Sequence, residues 1–181
     1  MAPRQSTRIP RIPVVALGEK SGNCFIAGVL AHSHNLDLSR HSVAKEAIKQ
    51  IRELPAVPAG NQSLNGYEQQ IVANYLDVGY VIINPVARVA KVYIANGKPM
   101  ATLRYAVLVW TVGHVDVVAT GGGRRCGLLD YEAMRTFLAD LHITTQKDTG
   151  HVPVPVEVSD DEDEEEKRED EGDGDAPNIE N

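Results

Sequence analysis

An α+β domain is what this sequence predicts. Helix-period segments come first in the chain, strand-like segments follow, and a last amphipathic helix closes the body. The first helix is expected from Cys24 to about His32, with Phe25, Ile26, Val29 and Leu30 at helical spacing. For the second, Ser42 is a candidate cap; Val43, Ala47, Ile48, Ile51 and Leu54 form one stripe, and Pro55 ends it. Lys45, Lys49 and Arg52 are expected to face water. The third runs from Tyr67 to Leu76 with Ile71, Val72 and Tyr75 inward.

The period then changes to two. "GYVIIN" reads as a strand stopped by Pro85, and "RVAKVYIA" and "ATLRYAVLVW" flank Asn96-Gly97, a strong hairpin dipeptide. "HVDVVAT" is a further β-branched run after the "TVG" turn, "VVALG" (Val14–Gly18) is a candidate edge strand, and the sheet is expected to be mainly antiparallel. "GGG" breaks the strands before a last helix over Leu128–Leu141.

Composition divides the 181 residues further. Residues 1–13 mix Arg4, Arg8 and Arg11 with three prolines and read as a basic flexible arm; 14–143 form the globular domain; 144–158 are an extended Pro/Val linker; 159–181 are an acidic tail expected to be disordered. From Glu157 onward there are 14 acids and 2 bases, a net of −12, whereas residues 1–156 carry +5 within the total of −7. The acidic segment suggests a basic protein partner. Nucleic-acid binding is disfavoured, because three arginines without interleaved aromatics make a small footprint. No window reaches the roughly 18 apolar residues of a membrane span, and Met1–Pro13 lacks the apolar stretch of a signal peptide. Two cysteines make no disulfide framework. A soluble, cytoplasmic protein is therefore expected.

Chemistry concentrates at two places. Cys24 opens the first helix, where unsatisfied N–H groups favour a thiolate, and Gly22 and Asn23 before it allow a tight turn that aims N–H groups at an oxyanion. Of six histidines, His32, His34 and His41 belong to the same helical half, His142 ends the last helix and His151 lies in the linker. His114 follows Gly113 in a strand-like run with Asp116 two residues on, on the same face. Cys24 as nucleophile, His114 as base and Asp116 as its orienter are the candidate catalytic set, with Trp110 four residues before His114 as a wall. Asn35 or Asp37 is a weaker orienter. A buried structural Cys24 and a hydrogen-bonded strand His114 are the plain alternatives. Cys24, His32 and His34 match no common zinc spacing, so neither a metal nor a cofactor is expected. "GGGRRC" lacks the Gly-Lys-Ser/Thr of a phosphate loop and reads as a flexible loop, with Cys126 structural.

"SGNCFIAGVL" resembles the Asp-Gly-Asn-Cys-(Leu/Phe) motif of the OTU (ovarian tumour) cysteine proteases, and "GHVDVV" resembles their His-x-(Asp/Asn) strand. The resemblance spans Gly18 to about Thr120. It implies a papain-like, OTU-like fold and a thiol protease or deubiquitinase, with Cys24, His114 and Asp116 as triad and ubiquitin or ubiquitin-like conjugates as substrates. Gly113-His114 is also similar to viral papain-like leader proteases, which implies a viral polyprotein substrate and the host cytoplasm. Ser21 stands where the family has Asp, Ile26 and Ala27 replace an aromatic and a basic or His residue, and Val115 replaces an aromatic. These departures support a second expectation, a noncatalytic pseudoenzyme, adaptor or silencing-type factor acting through the basic arm and acidic tail.

Overall fold

The computed structural model describes residues 9–18, 22–95, 97–111 and 113–146. The acidic tail, most of the linker, residues 1–8 of the arm, Ser21 and Asn96 lie outside that range. Four helices and seven strands alternate as β1 (Val14–Val15), α1 (Cys24–Ser33), α2 (Lys45–Arg52), α3 (Gly66–Leu76), β2 (Gly79–Asn84), β3 (Val89–Tyr93), β4 (Arg104–Thr111), β5 (His114–Val118), β6 (Leu129–Asp130), α4 (Tyr131–Asp140) and β7 (Thr144–Gln146). The strands form one mixed sheet in the order β1-β5-β4-β2-β3-β7, with β6 continuing along β4.

The α+β class holds, and the mainly antiparallel pairing needs correction. β2 lies parallel to β4, and β7 lies parallel to β3. β3 and β4 do not form the hairpin that Asn96-Gly97 suggested, because β2 sits between them. The reason is burial: Tyr80, Val81 and Ile83 of β2 are fully buried, and a strand apolar on both sides is best covered at the centre of a sheet. The chain instead crosses from β3 to β4 through the 3-10 turn Met100–Thr102. Residues 144–146, expected as linker, pair with β3 as an edge strand.

Local signals explain the starts of two of the four helices. Asn65 caps α3 in a reciprocal capping box with Glu68, and Asp130 caps α4 by accepting from the Ala133 N–H. α2 starts at Lys45 after an extended Ala44, so Ser42 is not its cap. α4 is shorter than expected because Leu129 and Asp130 pair with β4 before the helix begins.

Side-chain alternation divides the apolar residues between the two faces of the sheet. On one face, α1, α2 and α3 cover Tyr80, Ala106, Leu108, Val115, Val117 and Ala119. Phe25 meets Tyr80 edge-on at 5.0 Å, and Tyr80 stacks on Tyr93 at 4.6 Å. On the other, Met134 and Leu138 of α4 join Val81, Ile83, Tyr105, Val107, Val109 and Val118. Nine of the ten α1 residues are buried, so this helix is a core element on all sides. Tyr75, expected inward, is 59% exposed, because α3 packs through Val72 and Ala73 one turn earlier. No helix among the described residues is long and apolar enough to cross a membrane.

Candidate functional site

The start of α1 is held by a tight backbone crossing. Gly22 donates its N–H to the Asn61 carbonyl at 2.9 Å, and a Cβ on Gly22 would fall 2.2 Å from the backbone carbon of Gln62. Only glycine fits there. Asn23 precedes the helix but does not cap it with its side chain. Its amide donates to Asn61 Oδ1 at 3.0 Å, and its Oδ1 accepts from Arg52 Nε at 2.8 Å.

Arg52 is the centre of this clamp. It donates also to the carbonyls of Pro58 at 2.9 Å, Gly22 at 3.0 Å and Gln62 at 2.6 Å, tying the 58–62 loop to the beginning of α1. Expected in water, it is 9% exposed. Burial pulls the guanidinium below its ordinary pKa range, while Glu68 and Cys24 lie close enough to favour its charge. The available signal was position: Arg52 lies four residues after Ile48 and beside Ile51, on the buried stripe of α2. Next to the clamp, Asn23, Lys45, Ile48, Lys49, Arg52, Gly60 and Asn61 line an open groove of about 430 Å³. Lys45, Lys49 and Asn61 were not among the candidate residues.

Cys24 is the first residue of α1, as expected, and is 9% exposed within the core under α1. Of the N–H groups given an oxyanion role, that of Gly22 is bonded to the Asn61 carbonyl, and the Asn23 side chain is engaged on both sides.

The second half of the candidate set assembles at the tip of the β4–β5 hairpin, where Thr111 pairs with His114 and Gly113 takes φ +69° in the turn. His114 Nε2 lies 3.0 Å from Asp116 Oδ1, so the i, i+2 pair forms as the strand spacing required. Asp116 is buried and also accepts from the Leu17 N–H at 3.4 Å. Trp110 pairs with Val115 and is 47% exposed.

The two halves belong to different faces of the sheet. Val115 and Val117 point into the core beneath α1, where Cys24 lies, and Val118 points into the core beneath α4. By the same alternation His114 and Asp116 leave β5 on the side of Val118. No hydrogen bond joins Cys24 to His114 among the described residues, where His114 is bonded to Asp116. Compared with models of known protein families and with curated proteins, the chain matches none.

The remaining candidates are structural. His32 is fully buried; Nδ1 lies 2.9 Å from the Gly127 carbonyl, and Nε2 lies 2.9 Å from the Val107 carbonyl. Val107 falls between the stretch of β4 that pairs with β5 and the stretch that pairs with β6, so the imidazole fills a gap in the ladder. Burial lowers its pKa, against the raising effect of those two contacts. Burial also pushes the Cys126 thiol up to about 11, which removes it as a nucleophile near neutral pH. Among the described residues no cluster of three His, Cys, Asp or Glu side chains is placed to hold a metal ion.

Proposed function

We propose that this chain is a noncatalytic binding protein, whose α+β frame presents the groove beside the start of α1 to an acidic peptide segment. The observation that carries the reading is the lining of that groove. Three cations and two side-chain amides surround Ile48, and among the described residues no carboxylate lines it. Arg52 spends four hydrogen bonds on the clamp, so Lys45 and Lys49 supply the mobile charge and Asn23 and Asn61 the fixed amide edges. The placement of His114 and Asp116 on the other face of the sheet favours binding over thiol catalysis, because a nucleophile needs its base within hydrogen-bond reach.

The test is fluorescence anisotropy of a labelled oligoglutamate peptide with the full chain. Binding is expected at low salt, weakened by Lys49→Glu and unchanged by Cys24→Ser. Binding that ignores Lys49→Glu contradicts the reading.

A thiol hydrolase of the OTU-like kind is the second reading, favoured by the His114–Asp116 pair at 3.0 Å together with a cysteine heading a helix. Cys24 would attack a peptide or isopeptide carbonyl of a ubiquitin-like conjugate or a viral polyprotein, with His114 moving the proton. It requires the hairpin tip to turn His114 toward α1. A ubiquitin-based electrophilic probe that labels Cys24 in wild type and not in His114→Ala would establish it over the binding reading.

A further inference from the structure

We propose that the chain's own acidic segment, residues 157–181, is the resident occupant of the groove lined by Lys45 and Lys49, acting as an intramolecular cover that an external acidic ligand must displace. This rests on the binding reading above and adds its regulation.

Charge complementarity is the first argument. The segment carries −12 and the rest of the chain +5, and Lys45 and Lys49 lie one helical turn apart on α2 with Ile48 between them. Among the described residues the carboxylate paired with these lysines is Glu53, 3.9 Å from Lys49, in an exposed pair whose two side chains are each about two-thirds accessible. Such a pair is worth little and yields readily to a denser anion.

Reach is the second. The last described residue is Gln146 at the end of β7, and 13 further residues lead to Ser159 at the head of the acidic run. Extended, they span about 40 Å, against a radius of gyration of about 14 Å for a domain of this size, so the groove is accessible from the sheet edge. Tethering supplies a local concentration on the order of millimolar, enough for an electrostatic contact too weak to persist between separate molecules.

The register provides a strict control. Lys91 of β3 pairs with Gln146, so an unguided segment leaving β7 meets Lys91 before any groove residue. Zero-length carbodiimide cross-linking of the full chain, followed by peptide mapping, therefore tests the proposal. The expected result is amide links from Lys45 and Lys49 to acids of 157–175 in the monomer band, exceeding those to Lys91 and lost at about 0.5 M salt, where the Debye length falls below about 5 Å. A Glu-specific protease gives the second readout: Lys45→Gln with Lys49→Gln should speed cleavage within 157–171 at low salt several-fold. Links dominated by Lys91, links found only between molecules, or cleavage unchanged in the double variant would each overturn the proposal. If the oligoglutamate peptide still depends on Lys49 in that case, the groove reading stands and only self-occupancy is lost.

Discussion

The two faces of the sheet carry their polar residues for different purposes. Beneath α1 a buried cation, Arg52, spends its hydrogen bonds on carbonyls and an amide, and leaves a basic groove open beside it. Across the sheet, His114 and Asp116 bond to each other at the hairpin tip, and Asp116 also accepts from Leu17. The comparison teaches that a motif pair can form with correct spacing on one face while the thiol it was matched with heads a helix on the other. Which face a strand residue takes is set by its register, and one residue of register decides it.

Removing Arg52 should break the first face most severely. Arg52→Ala leaves the carbonyls of Pro58, Gly22 and Gln62 without this donor, and the expected loss is about 4 kcal/mol in denaturant unfolding. His32→Ala should follow at about 3 kcal/mol, combining a core cavity with the loss of the bond to Val107.

The same residue fixes the direction of a pH effect. Burial lowers the folded-state pKa of His32 below 6.5, so the unfolded chain binds the proton more tightly. Its contribution is therefore steady above about 6.5 and destabilising as pH falls through that value. Urea midpoints at pH 7.5 and 5.5 should converge in His32→Phe relative to wild type. On the second face, Asp116→Ala should cost only about 1 kcal/mol, since its partners are an edge N–H and a partly exposed imidazole. Lys45→Gln should change stability by less than about 0.5 kcal/mol while weakening peptide binding, which separates the groove's ligand role from the clamp's structural one.

Local chemistry made much of the fold legible. Asn65 and Glu68 at capping-box spacing begin α3, Pro85 follows the end of β2, and the His-x-Asp spacing joined His114 to Asp116. Pairing across the chain was less visible. Asn96-Gly97 is a strong local turn, but insertion of β2 between β3 and β4 is decided by burial of Tyr80, Val81 and Ile83, which involves distant residues. Arg52 was misread because charge suggests solvent, whereas its carbonyl partners come from loops whose approach no periodicity encodes. The face that holds Cys24 was hidden for the same reason: alternation relates His114 to Asp116, and only the packing of α1 on Val115 and Val117 reveals where the thiol lies.

The rate of Cys24 alkylation by iodoacetamide, measured from pH 5 to 9 in wild type and His114→Ala with Cys126 replaced by Ser in both, tests the central claim most directly. The separated arrangement gives the same pH profile for the two proteins, with no added reactivity near neutral pH. A wild-type rate enhanced at pH 6 to 7 and lost in His114→Ala would contradict it, placing the thiol and imidazole in one working site.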